Sequence, residues 1–488
     1  MSEAAGVSLM AVGPEVALLL GAVLVLMIDV YRNPPRKLLG WTAGTFLAVA
    51  FGLAVYQWFR IGAEGPSLSF GGMVLTDHFS VFARWVVLVL AAGGLAVGWG
   101  MIAESGRRAA EAIALVLLAA IGFQLMAASV HLVMTFLALE IGSISLYVLA
   151  GFTRDRVSSD EAALKYFLLG SFASAIFIYG VALTFAGTGG MSLLDVNAYL
   201  AGEGTETALV VLLGVALLLA GLAFKISAAP FHAWAPDVYQ GAPAGVTGFM
   251  AGVAKVGGFA ALMRILVVGF PGLAPDWGPP LAGLAALSVI VGTLLAIMQD
   301  DVRRLLAYSG VAHAGFILIG AIAGSEGQPA VWFYLAVYAV QVVAAFAVVA
   351  VVCGPASSSA PFGNFAGLGA GSPFLAASLA LMLLAMAGIP LTAGFVGKFA
   401  VFVAGWEAGY EWLVVLGLVT AVAGLYFYLR LLVVMYVRAP IPAEAPGAAP
   451  ARARVGAPAK VTLGAAILVT MVLGVVPGPL LDLLSDVL

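Results

Sequence analysis

The chain has 488 residues, 63% of them hydrophobic and 9% charged, with a net charge of −3. A soluble domain carries about 25% charged residues, so too few polar groups remain here to cover a water-facing surface. A soluble globular enzyme is excluded, and nothing in the charge balance suggests nucleic acid. The single cysteine, Cys353, forms no intrachain disulfide, and by itself it holds no iron–sulfur cluster or thiolate zinc site.

Runs such as 209–224 are apolar on every face, unlike the apolar–polar alternation of barrel strands. In lipid only helices and closed barrels satisfy their own backbone groups, so the chain reads as an all-α polytopic membrane protein. A crossing needs roughly 20 apolar residues. Fourteen runs qualify, at about 8–30, 38–59, 79–102, 111–128, 130–151, 161–187, 207–239, 243–270, 279–298, 303–323, 329–352, 373–406, 411–437 and 460–484. The segment before the first holds Glu3 and no basic residue, so it does not read as a cleaved signal peptide. Runs four and five nearly touch at 128–131, the least distinct boundary. The 438–459 stretch, rich in Pro and Ala, reads as a flexible linker.

Lys and Arg in the loops set orientation. With the N-terminus outside, the odd-numbered loops and their flanks hold Arg32, Arg36, Lys37, Arg107, Arg108, Arg154, Arg156, Lys165, Arg303, Arg304, Arg438, Arg452, Arg454 and Lys460, against Arg60 alone in the even loops. That asymmetry puts both termini outside and the 438–459 linker in the cytoplasm. Arg84, Arg264 and Arg430 fall nearer span ends and are expected to snorkel to the interface.

Two runs are too long. The seventh and twelfth would each extend roughly 50 Å if straight, against a hydrocarbon core of about 30 Å. Each contains a proline, Pro230 in Lys225-Ile-Ser-Ala-Ala-Pro-Phe-His232 and Pro390 in Gly388-Ile-Pro-Leu-Thr-Ala-Gly394. Proline removes a backbone donor and breaks the helical ladder. Interrupted helices in matching places of two halves point to an ion or substrate pathway at the membrane midplane. Runs four to eight and nine to thirteen are five helices each, and an odd number inverts the second copy. The expected organisation is a three-helix segment (1–110), two inverted five-helix repeats (111–270 and 271–437), and a cytoplasmic linker with a last helix (438–488).

An ionisable group at membrane depth costs at least about 2.5–3.5 kcal/mol and is by default functional. Glu140, Lys225, Lys255, His313 and Lys398 all fall inside spans, and His232 sits beside the first break. A lysine held between desolvation and a nearby carboxylate can load and release a proton. The plainer reading of a Glu140–Lys225 pair is that it only fixes helix packing; for His232 it is a hydrogen bond within the break. His78 and His131 lie near span ends and are expected at the interface. Gly394-Phe-Val-Gly-Lys398 is no phosphate loop, since Thr392 stands where its first Gly belongs and Phe399 where Ser or Thr should be.

Several segments resemble a known family. Phe224-Lys-Ile-Ser-Ala-Ala-Pro-Phe-His-Ala-Trp-Ala-Pro-Asp-Val-Tyr-Gln-Gly-Ala-Pro243, Leu384 to Phe399, Leu139-Glu140 and Tyr308-Ser-Gly-Val-Ala-His-Ala-Gly315 are similar to the antiporter-like membrane subunits of respiratory complex I and their Mrp antiporter relatives. The resemblance implies a proton-translocating subunit of NADH–quinone oxidoreductase, most like subunit N. It makes Glu140 and Lys225 a charged pair, Lys255 the central relay and Lys398 the lysine facing the exit half-channel. It also singles out Lys165. Lys398, where related branches carry Glu, and the end of the chain after the fourteenth run favour the N branch. It further implies a multi-pass protein of the bacterial inner membrane, partnered by other membrane subunits including a neighbouring antiporter-like one. No cofactor or metal is expected on this chain, the NADH and quinone being handled by partner chains. A cation/proton antiporter of the Mrp type is the alternative, and a purely structural scaffold a weaker one.

Overall fold

The computed structural model describes residues 8–32, 34–104, 108–153, 156–202, 209–354, 357, 359–439 and 455–487. Among the described residues the architecture is helical apart from one small hairpin. The long helices are α1 (Gly13–Arg32), α2 (Arg36–Glu64), α3 (His78–Glu104), α4 (Ala109–Ala128), α5 (Leu132–Ala150) and α6 (Val157–Thr188). A short α7 (Leu193–Gly202) leads to α8 (Leu209–Lys225), α9 (Trp234–Gly241) and α10 (Ala244–Arg264). Then follow α11 (Ala274–Ile297), α12 (Val302–Ala321), α13 (Gln328–Cys353), a single turn α14 (Leu368–Gly371), α15 (Pro373–Ala387), α16 (Ala393–Glu407) and α17 (Glu411–Tyr436). The chain closes with α18 (Ala457–Val475) and α19 (Gly478–Val487).

Twelve helices are long and apolar enough to cross a membrane, among the described residues, with Leu209–Lys225 and Pro373–Ala387 as shorter apolar helices. The sequence count of fourteen differs because it takes each interrupted run, α8–α9 and α15–α16, as one crossing. Large apolar side chains such as Trp41, Phe59, Phe172 and Val422 are exposed on the outer faces. Water would oppose that arrangement and lipid does not. The chain is a multi-pass membrane protein.

Several expectations need correction. The run at 460–484 is two helices, because Pro477 cannot donate a backbone bond where α18 ends. Arg84 does not reach an interface. It is fully buried, donating to Glu15 at 2.8 Å, to Gln57 at 3.2 Å and to the Ala11 carbonyl at 2.9 Å. Arg264 is buried too, forked onto both oxygens of Asp77 at 2.7 and 2.8 Å and lying over the Phe79 ring. A planar guanidinium that meets a carboxylate and carbonyls inside the fold has no need to snorkel. Arg430 is partly exposed, paired with Asp300 and donating to the Ile297 and Gln299 carbonyls. Burial pushes the Asp77 carboxyl up, but the Arg264 charge and its hydrogen bonds outweigh this and hold it below the usual range.

The 128–131 boundary is a real interruption. Ser129 and His131 are extended, and this link is pinned by hydrogen bonds from Val130 N to Met73 O and from Leu132 N to Met191 O. Met73 belongs to a hairpin, β1 (Ser67–Ser69) and β2 (Val74–Thr76), registered Ser67↔Thr76 and Ser69↔Val74. Gly71 and Gly72 take positive φ in its turn, as a tight hairpin requires. His131 and His78 are half-buried near helix ends. Most of the 438–459 linker, with Arg452 and Arg454, lies outside the described residues, as do Arg107 and Arg154.

Candidate functional site

The two breaks are helix ends meeting inside the fold. After Lys225, α8 closes with Ala228 N bonding back to Ala223 O, and Ser227 turns to a φ of 60°. Pro230 then supplies no donor, and the chain restarts at α9. The terminal carbonyls are taken from outside the helix: Phe224 O accepts from the Trp234 indole at 3.1 Å, and Ile226 O accepts from Lys255 at 2.6 Å. The second break repeats the device. Gly388 at φ 88° caps α15, and Ile389 N bonds back to Leu384 O. Lys398 of α16 donates to the Met386 and Ala387 carbonyls at 3.1 and 3.0 Å. Each lysine thus sits at the negative end of a half-helix, where a cation is favoured.

Lys225 is buried at the last residue of α8. Its Nζ donates to Ser143 Oγ of α5 at 2.7 Å, lies 3.5 Å from the Tyr166 hydroxyl, and is caged by the Phe123, Tyr147 and Tyr166 rings at 5.3, 5.8 and 5.5 Å. Aromatic faces at this range attract a cation. Glu140 acts on Lys225 through its charge, without a direct hydrogen bond between the two. Its carboxylate accepts from Ser174 of α6, while Ser143, one turn further along α5, is the group that meets the lysine. Three residues along a helix is nearly a full turn, so both side chains lie on neighbouring faces of α5. A serine therefore stands next to each charge.

From Lys225 the row passes through the break to Lys255 of α10, since Ile226 is the next residue and carries the accepting carbonyl. Lys255 packs against α12 at Gly310: a Cβ there would lie 3.5 Å from Lys255 Cε. One turn further along α12, His313 is buried with Nδ1 2.8 Å from the Tyr334 hydroxyl and Nε2 3.1 Å from that of Tyr428. Tyr428 also shares a 2.5 Å hydrogen bond with Ser309. The His313 ring meets Phe316 at 6.0 Å, and the Lys398 Nζ stands 4.7 Å over that same Phe316 ring. Lys225, Lys255, His313 and Lys398 therefore form a buried row across α8, α10, α12 and α16, with the half-buried Glu140 of α5 at its start.

Two expected residues stand apart. Lys165 is partly exposed and pairs with Glu161 at 2.6 Å and Asp237 at 2.7 Å; Asp237 also holds Arg304 at 2.7 Å. This network borders a polar cavity of about 350 Å³ at the ends of α6 and α9, away from the lysine row. His232 is half-buried within the first break, its ring 6.2 Å from that of Tyr308, and its Nδ1 has no partner among the described residues. The hydroxyl residues Ser143, Ser174, Tyr166, Tyr334 and Tyr428 were not read from the sequence. Their signal was there, as polar atoms inside otherwise apolar runs, but an uncharged hydroxyl is too common in membrane helices to stand out. Among the described residues no group of three His, Cys, Asp or Glu side chains could hold a metal ion.

Comparison with known proteins accords with this arrangement. The sequence profile of the family described as NADH:quinone oxidoreductase/Mrp antiporter, TM, matches residues 129–424, the segment that contains the whole row. NADH-quinone oxidoreductase subunit N 1 of Solibacter usitatus is 41% identical over 438 residues, covering 89% of this chain and 88% of that one. Subunit N of Chloroflexus aggregans is 37% identical over 446 residues, 90% of each. Among solved structures, a chain of respiratory complex I from Thermus thermophilus superposes with a TM-score of 0.82 at 34% identity, covering 96% of this chain and 98% of that one. A chain of the Mrp complex from Dietzia sp. shares the fold, with a TM-score of 0.85 at 23% identity over 98% and 96% of the two chains. This chain belongs to the NADH:quinone oxidoreductase/Mrp antiporter transmembrane family.

Proposed function

We propose that the chain is a proton-translocating membrane-arm subunit of an NADH–quinone oxidoreductase, of the subunit N type. The observation that carries this reading is the buried row of Lys225, Lys255 and Lys398, linked by hydroxyls and helix-end carbonyls, with Glu140 its one carboxylate. Each lysine differs by one proton between its two states, so a row of them handles protons and nothing larger. A dehydrated metal cation wants several oxygen ligands, carboxylates foremost, and one carboxylate supplies that poorly. The names of the similar subunits support the same assignment.

Moving one charge against 100 mV takes about 2.3 kcal/mol, and we assign its source to redox chemistry in partner subunits. This chain binds neither the NADH nor the quinone in that reading. Its partners are other membrane subunits of the complex, including a neighbouring antiporter-like subunit, and its site is the inner membrane of a bacterium. The loop charges support both termini on the outer side. Reporter fusions at residues 155, 302 and 450 should all read cytoplasm, and any one on the far side would overturn the orientation.

The two five-helix sets, 111–270 and 271–437, are proposed as inverted repeats. A paired close approach supports this: a Cβ on Gly122 of α4 would lie 2.7 Å from the Ala138 carbonyl of α5, and one on Gly292 of α11 2.9 Å from the Tyr308 carbonyl of α12. The first helix of each set thus crosses the second at a glycine.

The purified chain in liposomes separates the redox-driven reading from an autonomous Mrp-type antiporter. Little sodium-driven proton movement is expected. Robust exchange that Lys398→Ala abolishes would transfer the assignment to the antiporter.

A further inference from the structure

The seam between α2 and α3 is built in two different ways along its length. In the far half of α2 the rings of Phe51, Trp58 and Trp85 fill it, Trp58 and Trp85 centred 4.5 Å apart and Phe51 and Trp85 6.3 Å apart. In the near half, beginning at Lys37, glycine and alanine take the place of the rings. Gly40 and Gly44 of α2 and Ala92 and Ala96 of α3 line a cavity of about 450 Å³ between the two helices. A Cβ built on Gly44 would meet nothing within 4 Å, so this is open space and not a close helix approach. Trp99 of α3 lies against Gly40, where a Cβ would stand 2.6 Å from its ring, and narrows the entrance. Gly44 and Trp41 are exposed, so the groove opens on the outer, lipid-facing side.

Length and charge fit one occupant. The groove runs from Lys37 to Leu47, about 15 Å of helix, which is half of a hydrocarbon core about 30 Å thick. An acyl chain of one leaflet has that reach. A helix from a neighbouring chain would need a groove through both leaflets, and the Phe51, Trp58 and Trp85 cluster closes the second. Lys37 stands at the polar end, exposed and in none of the ion pairs among the described residues. No carboxylate lines the cavity. Trp41, 76% exposed beside it, suits the membrane–water boundary, where tryptophan is enriched. We propose that this groove binds an anionic phospholipid, one acyl chain lying between α2 and α3 and the phosphate resting on the Lys37 ammonium. The small residues give the chain room and bury it against apolar walls. The ammonium selects the headgroup, favouring a lipid of net negative charge.

Photolabelling tests this in phosphatidylcholine nanodiscs that hold the assembled complex with wild-type chain, Lys37→Gln, Lys37→Arg or Gly44→Leu. The probe is phosphatidylglycerol or phosphatidylcholine carrying a diazirine in one acyl chain, and labelled residues are located by mass spectrometry. Phosphatidylglycerol should label residues 40–47 and 92–99 roughly fivefold more than phosphatidylcholine, the ratio that one basic side chain near an anionic headgroup gives. Lys37→Gln should erase that preference and Lys37→Arg should keep it. Leucine at 44 favours the helix over glycine and enters open space. It should remove labelling at 92–99 by both lipids and leave the exposed far-half residues Tyr56 and Phe59 labelled as before. Equal labelling of the groove by the two lipids in the wild type would overturn the proposal. So would groove labelling that Gly44→Leu leaves unchanged, or that is no stronger than at Tyr56 and Phe59, since the lipid would then be an ordinary neighbour. A partner helix found cross-linked into the groove in place of lipid would overturn it as well and assign the groove to protein.

Discussion

The two helix breaks use the same local chemistry and differ in what they connect. At the first, the lysine of the broken helix, Lys225, turns away to Ser143 of α5, and the freed carbonyl of Ile226 goes to Lys255 of α10. Three helices are tied through one interruption. At the second, Lys398 follows the break and folds back onto the carbonyls of the half-helix just before it. The second break keeps its lysine–carbonyl bonds within its own two half-helices, with Gly474 of α18 packed on Leu391 and Thr392, and it lies near the chain surface, with Leu391 66% and Phe399 60% exposed. A junction whose lysines join three helices suits transfer along the row. A terminus that closes on itself suits exchange with the outside of the row.

If that contrast holds, the largest effect should come from Lys255→Met. It removes the centre of the row and orphans the Ile226 carbonyl at a buried site, so proton movement by the assembled complex should fall to background. Thermal unfolding should report a loss of about 1–3 kcal/mol. Lys398→Met should abolish proton movement as well but lower stability less, because its break is nearer the surface. Equal stability losses would erase the distinction.

Ser143→Ala sharpens the first break. It leaves Lys225 with only the 3.5 Å approach of the Tyr166 hydroxyl, so proton movement should drop while Ser143→Thr, which keeps the hydroxyl, restores it. A hydrogen bond to a charged group contributes about 1.5–3 kcal/mol, and unfolding of Ser143→Ala should show a loss of that order.

The helix that carries Lys255 is fastened at its far end by Arg264 and Asp77. Because the folded state holds the Asp77 carboxyl below its usual range, this contribution is present above the unfolded carboxylate pKa. It is lost as pH falls through the lower, folded value. Thermal unfolding between neutral and acid pH should therefore show a destabilisation that Asp77→Asn, already weakened, no longer shows at that step.

The smallest effects concern the backbone. Gly388→Ala places a Cβ at φ 88°, 3.3 Å from Lys398 Nζ, and should cost about 1–2 kcal/mol as a left-handed non-glycine. Ser227 already pays that cost at φ 60°, so Ser227→Gly should be neutral or slightly stabilising. Opposite signs at the two positions, read from midpoints of thermal unfolding, are the check.

Much of this was legible in the sequence because lipid simplifies the grammar. Apolar runs declare the helices, and a lysine or glutamate inside one stands out against its cost. Both breaks followed from Pro230 and Pro390 in runs too long to be straight. What stayed hidden was pairing. Glu140 and Lys225 do attract each other, but the group on α5 that touches the lysine is Ser143, which carries no charge to announce it. Arg84 and Arg264 lay near span ends by counting, and only the fold reveals that Glu15 and Asp77 wait for them. The hairpin at 67–76 was announced by Gly71-Gly72 but is too short to register against 20-residue runs. Lys165 resembled its family counterpart by position, while its neighbours Glu161 and Asp237 hold it in a surface network.

The central claim is that redox-driven protons travel along the buried lysines, and Lys225→Ala in the assembled, reconstituted complex tests it most directly. Proton translocation and NADH-driven quinone reduction, measured together in sealed proteoliposomes, should both fall severely because transfer and turnover are coupled, with the subunit still assembled. Undiminished translocation in a correctly assembled Lys225→Ala complex would contradict the account and leave the row as packing.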